Sequence, residues 1–318
     1  MDWLPIIYLA GGLVVGLMTG LPMAFALASS SIIVAWIFVG PMSLPFVATN
    51  IFGMMSNMVL VAMPLFIFMA CVLEKCGVAH ALYNFMQQVL VGIRGGLSMG
   101  TVLICTLIAA MSGVTTTGVV TMGIIALPIM LKNGYSKSIA IGPILAGGAL
   151  GILIPPSVSL IIYGMIARVS IGRLFAAGII PGIMLSILFL SYIGIRCYFQ
   201  PHLAPALPRE QRVSLKEKIL LAKGLILPAI LIFAVLGSIF LGIASPTEAA
   251  AVGAAGALVS AAINRRLSWQ MVKEASYRTM AVNGMIMWIL FGAYCFSAAY
   301  HGMGANRLIE DFMQFIPG

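Results

Sequence analysis

Two short stretches of the 318-residue sequence hold residue types whose spacing could do chemistry. The first is Ser112-Gly113-Val114-Thr115-Thr116-Thr117-Gly118, four hydroxyls interspersed with two glycines. The second is Gly151-Ile152-Leu153-Ile154-Pro155-Pro156-Ser157. Consecutive prolines remove two backbone donors and forbid helical continuation, so the carbonyls just before them lose their partners. Oxygens freed in this way suit a hard cation, while the positive ends of interrupted helices suit a carboxylate. Either stretch alone has a plainer explanation. Gly and Pro are common in membrane helices, and Ser or Thr often bonds back to the i−4 carbonyl. Two breaks in successive segments favour a site, with Ser112, Gly113, Thr115, Thr116, Thr117, Gly151, Pro155, Pro156 and Ser157 as its candidate residues.

The elements that must position them are read from composition. The chain is 62% hydrophobic and 8% charged, against roughly 25% charged in a soluble domain. No charge falls between Asp2 and Glu74, between Arg94 and Lys132, or between Lys137 and Arg168, runs of 71, 37 and 30 residues. Apolar runs of ~18 residues or more read as membrane spans. A polytopic, all-α membrane protein follows, which excludes a soluble enzyme, a secreted disulfide scaffold and a nucleic-acid binder. Cys71, Cys76, Cys105, Cys197 and Cys295 lie in or beside apolar segments without metal-type spacing, and are expected to be buried, inert thiols. The start, Met1-Asp2-Trp3, lacks the basic front of a signal peptide, so the N-terminus is expected to be retained as a helix.

Spans are expected near 4–19, 21–39, 50–73, 174–195, 219–242, 246–263 and 279–300, with an amphipathic interfacial helix over 76–93. Residues 95–111 and 118–131 are each short of a full crossing and carry basic residues at both outer ends. They read as a re-entrant hairpin with a hydroxyl-rich, non-helical tip, tolerated at depth only where protein or water surrounds it. Residues 138–150 and 158–167 read as the halves of one broken helix. The basic segments 196–223 and 265–278 set the cytoplasmic side, which leaves the N-terminus outside, with Arg168 and Arg173 as exceptions on the outer face.

These residues resemble the large membrane subunit of tripartite ATP-independent periplasmic (TRAP) transporters. The resemblance rests on Thr19-Gly20-Leu21-Pro22, Met63-Pro64-Leu65-Phe66, Arg94-Gly95-Gly96-Leu97, Ser112-Gly113, Pro128, Gly134-Tyr135, the Gly151–Ser157 stretch, Val169-Ser170-Ile171-Gly172-Arg173-Leu174-Phe175 and Ser245-Pro246-Thr247-Glu248-Ala249-Ala250. Val114 and Thr115 stand where the family has two serines, which weakens side-chain ligation there but not backbone ligation. The resemblance implies an inverted-repeat, elevator-type, sodium-driven secondary transporter of the bacterial inner membrane, with a periplasmic N-terminus. It would import an organic acid together with a small membrane (Q-type) subunit and a periplasmic substrate-binding protein, with Na+ as coupling ion and no other cofactor. Arg168 is implied as a contact for the substrate carboxylate, and the plainer reading of it is a snorkelling arginine. The implied organisation is scaffold and arm helices over 1–94, half of a transport domain over 95–195, a basic loop and linking span over 196–243, and the start of a second repeat over 244–318.

Gly20-Leu21-Pro22-Met23-Ala24 and Ser245-Pro246-Thr247-Glu248-Ala249 each open a small-residue apolar helix after a proline, as an inverted repeat would. Counting from Pro246 puts the second repeat's hairpin tip near about 335, past Gly318, so the chain is expected to be truncated or split and not competent for transport alone. Glu248, in the first turn after Ser245-Pro246, reads as an acid complementing a helix start. Two other classes remain beside transport. An intramembrane enzyme would want paired acids, or a His beside a nucleophile, at depth; aspartate is absent from every span, and His80, His202 and His301 sit outside or at edges. A non-transporting structural or assembly fragment is the other alternative. No G-x-x-x-x-G-K-[ST] phosphate loop appears.

Overall fold

The computed structural model describes residues 3–90, 92–113, 115–206 and 215–304, with backbone alone for Ala109, Ser112 and residues 215–225. The described residues contain α-helices and short 3-10 turns and no strand. Five helical stretches are long and apolar enough to cross a membrane: Met58–Lys75, Thr115–Lys132, Ile171–Phe199, Pro246–Ile263 and Trp269–Gly302. The protein is therefore an all-α polytopic membrane protein. The chain forms two compact units, one from residues up to Asn57 with those from Ala281 onward, the other from Met58–Met280.

In the first unit, α1 (Leu4–Met18), α2 (Met23–Val39) and α3 (Ser43–Met55) accompany the later part of α13 (Trp269–Gly302). Gly12 and Gly16, four apart, face Ser30 and Ala26, so that a Cβ on either glycine would lie 3.1 Å from its partner's Cβ. This is the small-residue seam by which helices approach closely where water drives no association. Leu9, Val34, Ala35 and Ala299 form a buried cluster there. The expected span over 50–73 is not one helix. It ends at Met55, where the Ser56 hydroxyl bonds back to the Phe52 carbonyl at 3.0 Å and Asn57 N–H turns to Met54; helix resumes at Met58. Apolar composition on both sides hides that stop.

The second unit holds α4 (Ala62–Lys75), α5 (Val78–Val89), α6 (Gly96–Ser112), α7 (Thr115–Lys132), α8 (Lys137–Ala149), α9 (Val158–Ala167), α10 (Ile171–Phe199), α11 (Leu215–Phe240), α12 (Pro246–Ile263) and the start of α13. The amphipathic expectation for α5 holds: Val78, Ala79, Leu82 and Tyr83 are buried while His80 and Asn84 are exposed. α12 presents a stripe of Ala249, Ala250, Gly253, Ala254, Ala257 and Ala261 and packs chiefly on α4. Its start is a capping box: Ser245 N–H donates to Glu248 Oε2 at 2.7 Å and Glu248 N–H to the Ser245 hydroxyl at 3.3 Å. That is the helix-start role read for Glu248. α13 begins at Trp269, ten residues before the expected 279, because Ser268 caps it by accepting the Met271 N–H at 3.1 Å. Lys273 and Arg278, read as loop charges, consequently ride on a helix.

α6 and α7 form a helical hairpin, and α8 lies against both arms. Gly147 meets Cys105 of α6, and Gly148 meets Val119 and the Thr115 carbonyl of α7, so side chains at 147 and 148 would hold the helices apart. The open end of the hairpin is tied to the start of α8. Ser98 donates to the Ile139 carbonyl at 2.7 Å, and Leu97 N–H to the Tyr135 hydroxyl at 3.3 Å. Burial pushes the Tyr135 phenol up to about 12, although the Leu97 N–H works the other way, so it stays protonated at physiological pH. All five cysteines are free, and all but Cys76 are buried, as the composition implied.

Candidate functional site

The hairpin tip and the Pro-Pro break meet. Gly113 has φ of 60°, a left-handed conformation that costs an L side chain about 1–2 kcal/mol. A methyl group there would collide with the Pro156 carbonyl oxygen and lie 3.1 Å from Ser157 Cα. The Gly113 carbonyl accepts a hydrogen bond from the Val158 N–H at 3.2 Å, so the hairpin satisfies a donor that the first turn of α9 leaves open. Glycine is required at 113 both by the turn and by the closeness of the break.

The break itself runs from a 3-10 turn at Leu150–Ile152 to Ser157, with a cis Pro155–Pro156 peptide. Prolines at 155 and 156 cannot donate to the carbonyls of Gly151 and Ile152, four residues earlier. The Ser157 hydroxyl donates to the Ile152 carbonyl at 2.8 Å and accepts the Leu160 N–H at 3.5 Å as N-cap of α9. Gly151 gains no such side-chain donor among the described residues. Behind the break, Gly178 of α10 lies against the Leu153 carbonyl and Gly182 against Ile154. Leu150 and Ile154 pack with Ala110, Leu185 and Phe189.

Four helix ends are thereby gathered: the C-terminal ends of α6 and α8 and the N-terminal ends of α7 and α9. Helix C-termini favour cations and N-termini favour anions, so one small region offers both kinds of partial charge. Gly113, Gly151, Pro155, Pro156 and Ser157 are brought together there, all buried. The Ser112 side chain lies outside the described residues, as does Val114. Thr115, Thr116 and Thr117 are not part of a non-helical tip. They form the first turn of α7, where Thr115 faces Gly148 through its carbonyl, Thr116 is exposed and Thr117 lines a small cavity that Glu74 of α4 also lines. Arg168 stands apart. It is exposed at the far end of α9, a helix of 10 residues and so ~15 Å from the break.

The sequence reading missed a polar cluster beside the hairpin. Glu74, which in the sequence only closes the first uncharged run, is 20% exposed at the end of α4. Its Oε1 accepts from Thr121 of α7 at 3.0 Å and from Arg278 of α13 at 3.0 Å. Lys75 pairs with Glu274 at 2.5 Å in the more exposed position next to it. The signal was available: Glu74-Lys75 at one helix end complements Glu274 and Arg278, four residues apart, on another.

Comparison with known proteins decides the family. The family model of the DctM component of tripartite ATP-independent periplasmic transporters matches residues 10–318. The chain belongs to this DctM family. A C4-dicarboxylate TRAP transporter large permease of Vibrio cholerae is 37% identical over 244 residues, covering 76% of this chain and 52% of its own length. The ectoine TRAP large permease of Halomonas elongata is 33% identical over 305 residues, covering 92% and 70%. The sialic acid TRAP large permease of Vibrio cholerae is 32% identical over 287 residues, covering 87% and 65%. The chain thus spans about half the length of the first of these relatives. DctM proteins are transport permeases, not enzymes, and the tip-to-break contact described above lies within the matched residues.

Proposed function

We propose that this DctM chain forms the ion- and substrate-binding half of a sodium-driven secondary transporter that imports an organic acid across the bacterial inner membrane. The single observation that carries this reading is the docking of Gly113 on the Pro156–Ser157 break, sealed by the Val158 N–H to Gly113 carbonyl bond. A sodium ion would use the carbonyl oxygens of Gly113 and Gly151 and of the prolines, with the Ser157 hydroxyl nearby. A substrate carboxylate would face the N-terminal ends of α7 and α9, with Thr115–Thr117 on that turn. Arg168, ~15 Å away by helix length, would meet a carboxylate only on the path to this site. Each sodium entering down 100 mV supplies ~2.3 kcal/mol before its concentration gradient.

In this reading residues 95–195, which hold α6–α9 and most of α10, move as half of an elevator-type transport domain, and the hairpin re-enters from the cytoplasmic side. A small membrane subunit and a periplasmic binding protein complete the importer, and the N-terminus is periplasmic. The relatives named above carry C4-dicarboxylates, ectoine and sialic acid by name; all bear a carboxylate, which supports that chemical class here. Hydrogen exchange of the purified chain in sodium or potassium chloride tests the site. Sodium-specific protection of residues 111–116 and 151–158 is the expected result, and identical exchange in both salts overturns the site. Succinate uptake in proteoliposomes with the small subunit and the binding protein tests the whole activity. Sodium protection without uptake would favour the alternative of a non-transporting structural or assembly piece of such a complex.

A further inference from the structure

Glu74 touches neither the tip nor the break, yet it is the acid on which the hairpin leans. Four features define its position. Its Oε1 holds Thr121 of α7 and Arg278 of α13 at 3.0 Å each. The same guanidinium nitrogen lies 2.9 Å from Oε2 but donates to Oε1, so Oε2 is buried without a hydrogen bond. Beside it is a cavity of about 10 Å³ lined by Ala70, Glu74, Ala79, Ile108, Met111, Thr117 and Thr121, room for about one water molecule. Met111 and Thr117 belong to the turns of α6 and α7 that flank the tip.

Stability alone gives a weak reason for this arrangement. Desolvating a partly buried ion pair offsets much of its attraction, so a packed apolar pair would serve as well. What the carboxylate does that an apolar side chain cannot is tie α7 in place through its bond to Thr121, beside a water-sized cavity that Thr117 also lines. Both threonines lie on the helix whose first turn completes the tip.

We propose that Glu74 is a positioning residue for the hairpin site: held by Arg278, it sets the α7 arm through Thr121 directly and through one water to Thr117, and so keeps Gly113 seated on the Pro-Pro break. The step from seating to sodium affinity rests on the function proposed above; the seating itself does not. An acid on α4 thereby joins α13 to the hairpin arm, while the Lys75–Glu274 pair joins α4 to α13 without touching the hairpin.

That difference supplies the control. Hydrogen exchange is followed over residues 109–121 in the purified 318-residue chain, with and without sodium chloride, for the wild type, Glu74→Gln, Thr121→Val and Glu274→Gln. Gln keeps the shape and an acceptor but not the charge. Glu74→Gln is expected to raise exchange at 109–121 roughly tenfold and to raise the sodium concentration giving half-maximal protection, with Thr121→Val intermediate and Glu274→Gln unchanged. If Glu74→Gln matches the wild type over 109–121, with or without sodium, the proposal is overturned. It is equally overturned if Glu74→Gln loosens every helix alike and lowers the unfolding midpoint accordingly, since Glu74 would then be structural only. If Glu74→Gln loosens 109–121 selectively while sodium affects neither protein, the positioning stands and the sodium site fails.

Discussion

Gly113 and Ser157 carry different loads. Gly113 has no room for a side chain and a φ that side chains resist, so Gly113→Ala should lower stability by about 1–3 kcal/mol, read as a fall in the denaturation midpoint in detergent. It should also abolish any sodium protection of the tip. Ser157 is a buried cap whose hydroxyl serves the Ile152 carbonyl and the Leu160 N–H. Ser157→Ala removes both, at about 0.5–2 kcal/mol for the cap, and Ser157→Thr should recover most of it. Thr116 is exposed in the same turn as two candidate ligands. Thr116→Ala should change stability by less than about 0.5 kcal/mol and leave sodium protection intact; a large loss of protection would assign Thr116 to the site.

Helices here meet through small residues and are pinned by a few polar ties. α8 fits against both hairpin arms because Gly147 and Gly148 present no side chain. Gly148→Leu should force α7 away, and limited proteolysis or exchange over 113–121 should report it even where the remaining helices hold. At the opposite end of the hairpin the Tyr135 hydroxyl accepts the Leu97 N–H. Its folded-state value of about 12 lies above the ordinary 10, so the neutral phenol is favoured by folding. That contribution is complete below pH ~10 and is lost as pH rises towards ~12. Tyr135→Phe, which loses the bond from Leu97, should be less stable than wild type by about 1 kcal/mol at neutral pH and show a shallower decline between pH ~10 and ~12, as measured by midpoints from neutral pH through that window.

The molecule as a whole belongs to a family of permeases, and much of the backbone that leaves the helix at its break is covered by protein. Among the described residues, the Gly113 carbonyl is met by the Val158 N–H, the Ile152 carbonyl by the Ser157 hydroxyl, and Leu153 lies against the bare face of Gly178. Irregular backbone survives at membrane depth only under such cover. In proteoliposomes with the small subunit and binding protein, succinate uptake should follow the inward sodium gradient and collapse with a sodium ionophore. Dependence on ATP, with no effect of the ionophore, would contradict the proposed function.

The sequence by itself determined the class and the two breaks. Runs of 71, 37 and 30 uncharged residues admit only membrane helices, and Pro155-Pro156 cannot continue one. It also determined the Ser245–Glu248 cap and the amphipathic α5, because both are local patterns. Only the tertiary structure decided that Gly113 sits on Pro156 and that Thr115–Thr117 belong to a helix rather than a loop. The same holds for Glu74, a charge at a helix end in the sequence and a three-helix junction in the fold. Contacts between residues 47 and 204 positions apart, as Glu74 makes with Thr121 and Arg278, leave no local period to read, since complementary charges at helix ends admit many pairings until packing selects one.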